Sequence, residues 1–105
     1  MNAKFEELAR SYLTEHSDVR AGWRPVASRL WGDRLDLVCV RSDGREVWAT
    51  IRPGQIAVGI GPEHADFEDV GRGMSEEQLG EEAFAEFRDL IEGRSPLELN
   101  GQGHR

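Results

Sequence analysis

The chain has 105 residues and a formal net charge of −7, because its 20 Asp and Glu residues outnumber its 13 Lys and Arg residues. That length supports one domain with a single modest core, and we predict a domain over residues 1–99 followed by a disordered tail over residues 100–105. The acidic balance and the lack of a basic stripe argue against nucleic acid as a partner. No apolar run approaches the ~20 residues of a membrane span, and the first residues lack a signal-peptide pattern. We therefore expect a cytoplasmic protein without membrane contact.

The negative charge is concentrated in one segment, residues 63–92, which we call the acidic lobe. It holds eleven acidic side chains and two arginines, a net charge of −9, whereas residues 1–60 sum to +1. An acidic surface beside a nearly neutral one attracts cationic partners over a distance. The charge pattern therefore favours a basic partner without identifying it.

Residues 3–16 are predicted to form an amphipathic helix with Asn2 as its N-cap. Apolar side chains recur there at helical spacing, namely at Phe5, Leu8, Ala9, Tyr12 and Leu13. Such a stripe must be buried, and the apolar face of the sheet described next is the place we expect for it.

Residues 23–60 alternate apolar and polar side chains over four runs, which predicts four β-strands. The runs are 23–31, 34–41, 45–52 and 55–60, and they are separated by Gly32-Asp33, Ser42-Asp43-Gly44 and Pro53-Gly54. Each separator is rich in residues that favour turns. The separators are too short for crossover helices, so the strands should form an antiparallel meander.

The register of this meander follows from loop lengths that place apolar residues opposite one another. Two-residue turns at 32–33 and 53–54, with a three-residue loop closed by Gly44 in the left-handed conformation, achieve this at all three hairpins. The expected pairs are Leu30 with Leu35, Ser28 with Leu37, Val26 with Cys39, Cys39 with Val47, Leu37 with Ala49, Leu35 with Ile51, Ile51 with Ile56, Ala49 with Val58, and Val47 with Ile60. The lone cysteine, Cys39, then faces inward as a small apolar residue, and no internal disulfide framework is possible.

The opposite face of the predicted sheet is mixed in character. Trp48 is expected to face Val38 on one side and the bare backbone of Gly59 on the other, while Arg29 is expected to face Asp36. Cross-strand packing accounts for such residues, but Trp and Arg also dominate the energetics of protein interfaces. For Trp48 both interpretations remain open.

A second helix is predicted between Ser75, a good N-cap, and Gly93, a left-handed stop. Gln78 completes a capping box with Ser75, and Gly80 inside the helix indicates a close approach to the sheet. The apolar stripe consists of Leu79, Ala83, Phe84, Phe87, Leu90 and Ile91. The predicted fold is thus α+β, a four-stranded antiparallel meander with an N-terminal and a C-terminal helix packed on one face.

Residues 61–73 are predicted to be a long connecting loop, anchored by Phe67 and Val70. The loop holds the densest set of reactive side chains in the chain, namely Glu63, His64, Asp66, Glu68 and Asp69. A histidine among carboxylates can ligate a divalent metal or exchange protons. Because no second His or Cys lies nearby, an acidic solvated loop explains the composition better. We expect no catalytic residue, no metal and no cofactor.

The order of a strand ending in Gly59-Ile60-Gly61, a Glu-His-Ala-Asp-Phe-Glu loop over 63–68 and a Glu-rich closing helix resembles certain small acidic bacterial immunity proteins of polymorphic-toxin systems. Those proteins are antidotes that bind a secreted toxin and perform no chemistry. The resemblance covers roughly the second half of the chain, and it implies that residues of the loop face a toxin.

These observations lead to the hypothesis of a non-enzymatic protein-binding module, an immunity-type antidote whose partner is another protein such as a basic toxin domain. The candidate partner-binding residues are Trp31, Trp48, Arg52, Glu63, His64, Asp66, Glu68, Glu77 and Glu81. Two alternatives remain open. One is a small metal- or ligand-binding protein that uses the His64 loop, and the other is a homodimer that pairs its open sheet faces.

Overall fold

The computed structural model describes residues 2–30, 32–69 and 73–98. The elements in chain order are helix α1 (Ala3–Glu15), strands β1 (Arg20–Val26), β2 (Arg34–Val40), β3 (Glu46–Arg52), β4 (Gln55–Ile60) and β5 (Glu63–Glu68), and helix α2 (Glu76–Glu92). The predicted α+β class and the antiparallel meander are confirmed. Among the described residues, however, the sheet has five strands in the order β1-β2-β3-β4-β5, where four were predicted. The predicted tail lies outside the described residues, and within them no helix is long and apolar enough to cross a membrane.

The central hairpins have the predicted register. Leu37 pairs with Ala49 and Ala49 pairs with Val58, so the predicted inward-facing residues of β2, β3 and β4 lie on one face. Gly44 and Gly54 adopt φ values of +86° and +72° in the two turns, a conformation that glycine adopts without steric cost. The turn chemistry and the alternation therefore specify the same arrangement.

The first strand was predicted too far along the chain. β1 ends at Val26, and Trp23 rather than Ser28 lies opposite Leu37. The observed register places the Trp23 ring on the inner face, where the Arg10 guanidinium lies 4.1 Å from the ring centroid. A tryptophan covers more apolar area than a serine in the same position, which favours this register over the predicted one.

Among the residues predicted to extend β1, residues 27–30 lie outside the strand, in the connection to β2. Gly32 does make a turn, with φ of +78°, but its backbone N–H donates to the carbonyl of Ser28 at 3.1 Å. The turn therefore lies inside the connection and does not join two strands. As a result Leu30 is 85% exposed and not inward-facing, and Arg24, not Arg29, lies opposite Asp36.

The predicted loop after β4 is in fact the fifth strand. Gly61, with φ of +57°, begins a two-residue turn, after which His64 pairs with Gly59 and Phe67 pairs with Ile56. The alternation turns Phe67 toward the core and His64 away from it. Because this edge strand carries so few apolar side chains, its composition is typical of a loop. Val70, the other predicted anchor, lies outside the described residues.

One core joins the inner face of the sheet to both helices. Helix α2 packs against β3, β4, β5 and α1, and Phe5 meets the rings of Phe84 and Phe87 edge-on, with centroids 6.5 and 5.8 Å apart. The buried members are Phe5, Ala9, Val19, Leu37, Cys39, Val47, Ala49, Ile51, Ile56, Val58, Ile60, Leu79, Ala83, Phe87 and Leu90. Burial raises the pKa of the Cys39 thiol to about 12, so this residue stays protonated and apolar, as predicted.

The helix ends follow the predicted capping chemistry. The Asn2 side chain accepts the Phe5 backbone N–H at 2.9 Å. Ser75 and Gln78 exchange both hydrogen bonds of a capping box, and Gly93 ends α2 in the left-handed conformation. Each cap satisfies backbone groups that the helix itself leaves without partners.

Gly80 marks a close approach, but to α1 and not to the sheet as predicted. A Cβ at this position would collide with the Asn2 side-chain oxygen and lie 2.9 Å from the Phe5 backbone nitrogen. The Asn2 amide also donates to the Glu76 carbonyl at 3.0 Å. The first turns of the two helices are therefore joined through Asn2, with Gly80 providing the space.

An ion-pair cluster, which we call the Arg41 cluster, attaches the segment after α2 to the β2–β3 hairpin. The two terminal nitrogens of Arg41 donate to both Glu98 carboxylate oxygens at 2.9 and 3.0 Å, and Arg45 donates to the same carboxylate at 2.7 Å. Arg41 also donates to the Leu90 carbonyl at 2.9 Å and pairs with Asp43. The Arg41 and Glu98 side chains are only 10% and 9% exposed, so water screens this pair little.

Replacing Gly80 with Ala should lower the free energy of unfolding by about 1–3 kcal/mol, although Ala is the better helix former by about 1 kcal/mol. Urea denaturation followed by circular dichroism measures this. The double variant Asn2→Gly/Gly80→Ala should recover part of the loss, since Gly caps a helix nearly as well as Asn and removes the side chain that the methyl group strikes. A stabilising Gly80→Ala would contradict the assigned close approach.

The Arg41 cluster should make stability depend on pH in the acid range. The pKa of Asp43 is lowered to about 2 by hydrogen bonds from the Arg41 side chain and the Arg45 backbone, and the Arg41 side chain also lowers the pKa of Glu98. Carboxyls with lowered pKa values stabilise the fold above their unfolded pKa and lose that contribution as pH falls through the folded pKa. We expect Glu98→Gln to cost about 3 kcal/mol at neutral pH, and this difference from the unmodified chain should shrink as pH falls below about 4.

Urea denaturation at a series of pH values tests this expectation. Asp89→Asn, in an exposed pair with Arg94 at 3.5 Å, is the matched control and should change stability by less than about 0.5 kcal/mol at any pH. A Glu98→Gln penalty that stays constant down to the acid limit would contradict the assigned role of the cluster.

Candidate functional site: the outer face of the sheet

The sheet face opposite the helices is the candidate site, and we call it the outer face. It is formed by the even-numbered residues of β1, β2, β3 and β5 and the odd-numbered residues of β4. Two cross-strand rows run through its middle. The tryptophan row is Gly22, Val38, Trp48, Gly59 and His64, and the charged row is Arg24, Asp36, Thr50, Ala57 and Asp66.

Trp48 lies flat on the outer face and is held there. Its indole covers the backbone of Gly59, where a Cβ would lie 2.6 Å from the ring, and its N–H donates to the Gly61 carbonyl at 3.0 Å. The His64 ring lies beside it, with centroids 6.0 Å apart. The predicted position of Trp48 between Val38 and Gly59 is confirmed.

Val38 extends this apolar centre onto β2. Its side chain projects from the outer face and is 40% exposed, next to the partly buried Trp48 ring. Trp48 is fixed by a hydrogen bond and by the lack of a side chain at Gly59, so it loses little conformational freedom when a partner covers it. A rigid aromatic residue beside an exposed aliphatic one has the composition of an interface hot spot.

The two margins of the outer face carry opposite charges. Arg20 and Arg24 project from β1, whereas Asp66 and Glu68 project from β5, and all four are exposed. Four strand spacings of about 4.8 Å place these margins about 19 Å apart. The outer face therefore has Val38 and Trp48 near its centre, exposed arginines at one margin and exposed carboxylates at the other.

The basic margin was missed in the sequence because β1 was placed too late. Arg20 and Arg24 fell in the predicted connector and at the start of the predicted strand, so neither was assigned to the outer face. The alternation of Arg20, Gly22 and Arg24 with Ala21 and Trp23 is the signal that indicates their common side. Only one large apolar residue occurs in that run, which makes the signal weak.

The structure brings five of the nine predicted partner-binding residues together on the outer face, namely Trp48, Arg52, His64, Asp66 and Glu68. Glu63 belongs to the inner-facing set of β5, opposite Ile60. Trp31 lies outside the described residues.

The remaining two predicted residues lie on α2. Glu77 and Glu81 are exposed there, and Glu77 lies 3.6 Å from the Lys4 ammonium. Because α2 packs on the inner face, the acidic lobe is divided between the two sides of the sheet. A single partner surface therefore meets one half of the lobe or the other.

His64 and its neighbouring carboxylates form an exposed edge. His64 Nε2 lies 3.6 Å from the Asp66 carboxylate, with both side chains 48% exposed, and Glu68 accepts a hydrogen bond from the Gln55 amide at 3.2 Å. Exposed pairs of this kind contribute little energy. Within the described part of the chain, no group of three or more His, Cys, Asp and Glu side chains is placed to hold a metal ion.

No protein-family model, curated protein or solved structure matches this chain significantly. The resemblance to immunity proteins accordingly stays a prediction based on the residues quoted for it.

Replacing Gly59 with Ala should displace the Trp48 ring and lower the free energy of unfolding by about 1–3 kcal/mol, because the methyl group would overlap both the indole and the Glu63 backbone carbonyl. The Trp48 indole N–H resonance should shift and exchange faster as its bond to Gly61 is lost, while that of Trp23 stays in place. Two-dimensional ¹H–¹⁵N NMR and urea denaturation measure both effects.

Gly22→Ala is the matched control, since it lies in the same row with no atom within 4 Å of the added Cβ. It should change stability by less than about 0.5 kcal/mol. An unmoved Trp48 resonance in Gly59→Ala would show that the ring does not depend on the space above Gly59.

Proposed function

We propose that the chain is a non-enzymatic protein-binding module that docks its partner on the outer face. The supporting observation is the fixed Trp48 ring beside exposed Val38, on the sheet face that neither helix covers. Binding energy in protein interfaces concentrates in such rigid aromatic residues at the centre of a patch. Charged side chains at the margins then determine orientation and partner choice.

An immunity-type antidote is the specific form of this proposal. Its partner is a toxin domain with a basic surface that approaches the β5 margin, where Asp66 and Glu68 are exposed. The chain acts in the cytoplasm and neutralises the toxin by covering its functional surface, without chemistry of its own. The net charge of −7 accelerates encounter with a cationic protein, and the resemblance in the second half of the chain supports the same class.

The outer face also sets a requirement on the partner. Since Arg20 and Arg24 occupy the other margin, a partner that covers the whole face needs an acidic patch about 19 Å from its basic one. A uniformly basic surface would be repelled at β1. The proposed partner therefore carries a basic patch and an acidic patch on the same surface, with apolar side chains between them.

Co-expression with the products of adjacent genes tests the proposal. A neighbouring product that arrests growth alone should be tolerated when this chain is present, and the two proteins should co-purify. Trp48→Ala should weaken binding by about 2 kcal/mol or more, roughly 30-fold in Kd, as measured by isothermal titration calorimetry. Val38→Glu should weaken it similarly, by placing a charge in the apolar centre.

Leu30→Glu is the matched control, because Leu30 is an equally apolar and more exposed residue outside the strands. It should leave the Kd unchanged. Binding that tolerates Trp48→Ala and Val38→Glu but is lost in Glu77→Ala/Glu81→Ala would place the partner on α2 and overturn the proposed site.

A further inference from the structure

We propose that the outer face also pairs with the outer face of a second copy of this chain, in a two-fold dimer whose axis runs parallel to β3. This inference goes beyond the proposed function, because it requires no foreign partner and concerns the isolated protein. It rests on the self-complementarity of the two central rows.

The two-fold operator determines which strands meet. Two stacked sheets lie about 10 Å apart with their strands within about 30° of each other. An axis parallel to β3, midway between the faces, puts β3 over β3, β2 over β4 and β1 over β5. Each cross-strand row then lies over the same row of the other copy, in reversed order.

The tryptophan row is complementary to itself under this operator. The Trp48 indole extends from β3 over Gly59 of β4, so in the dimer it meets Val38, which projects from β2 and is 40% exposed. The same operator puts His64 over Gly22, where nothing lies within 4 Å of the Cβ position. A large residue therefore faces an open position at each end of the row, and the apolar pair fills the middle.

The charged row is complementary under the same operator. Arg24 of one copy lies over Asp66 of the other, and the two-fold symmetry forms this contact twice. Both side chains are exposed and belong to the same row. A single operator thus satisfies the apolar contact and the charge contact together, although the two involve different strands.

The other two-fold operator that stacks the two faces is disfavoured by electrostatic repulsion. An axis perpendicular to the strands would put β1 over β1 and β5 over β5, so that Arg20 and Arg24 would face arginines while Asp66 and Glu68 would face carboxylates. Like charges placed opposite one another repel. The operator parallel to β3 also brings Arg52 over Arg52 and Glu46 over Glu46 of the other copy, but only at the two ends of one strand. The perpendicular operator opposes like charges along both margins, so the charges of the margins favour the arrangement parallel to β3.

The area predicts a weak dimer. Five strands of about six residues cover about 500 Å² per copy, or about 1,000 Å² in total, which lies at the low end for specific interfaces. The dimer should therefore form and dissociate in the micromolar to millimolar range. It covers Trp48, so it competes with any partner that docks on the outer face.

Sedimentation velocity over a dilution series tests the inference on the purified full chain. The unmodified protein should dimerise with concentration. Arg24→Glu and Asp66→Arg should each raise the dimer Kd by about tenfold or more. An equimolar mixture of the two variants should associate again, because each contact in the mixed dimer then joins opposite charges, and the double variant should associate for the same reason.

The rescue cannot arise within one chain, because the two positions are about 19 Å apart. Arg94→Glu reverses an exposed charge outside the sheet and should leave the Kd unchanged. A chain that stays monomeric at every concentration overturns the inference, as does a dimer that survives Val38→Glu, or single-variant losses that neither the mixture nor the double variant restores. A monomeric chain would overturn the dimer and leave the proposed function standing, because binding to a foreign partner is measured separately.

Discussion

Burial of only one sheet face is the constraint on which the rest of the structure depends. Leu37, Ile51 and Ile56 are fully buried against the helices, and each contributes about 1.5–3 kcal/mol relative to exposure. A strand that slipped by one residue would expose this row and bury Trp48 and Arg52 in its place. The core therefore determines which side chains lie on the outer face, although the core residues themselves are buried.

The sequence predicted those parts of the fold in which two independent signals coincide. The capping box at Ser75, the left-handed glycines in the turns and the strict alternation of β2 to β4 each indicated the same boundaries or faces. β1 was misplaced because a Gly-Asp pair at 32–33 has the composition of a hairpin turn, and Leu30 fitted that register. Only the packing of Trp23 on the inner face, under Arg10, shows that another register is better.

The candidate site was predicted in part for the same reason. Trp48, Val38 and Gly59 belong to well-specified strands, so their common position on the outer face followed from the register. His64 and Asp66 were selected for their chemistry, but the strand that contains them was not recognised. An edge strand such as β5 carries few apolar side chains, so its alternation is weak. Arg24 was not assigned to the outer face, so the opposite charges of the two margins were missed as well. Such a difference in charge can be recognised only when both edge strands are placed correctly.

The same charge asymmetry bears on how the two sheet edges avoid association. The β1 edge is basic and the β5 edge is acidic, so adding the β5 of one copy to the β1 of another would be electrostatically favourable and, being head-to-tail, would continue without closing. Pro25 removes one backbone donor from β1, and edge strands that carry proline and charge resist such additions. The outer face offers the same opposite charges together with an apolar centre, which the edges lack. In the proposed two-fold dimer, Arg24 and Asp66 join the two margins and the contact closes after two copies, which is why we propose association through the face and not through the edges.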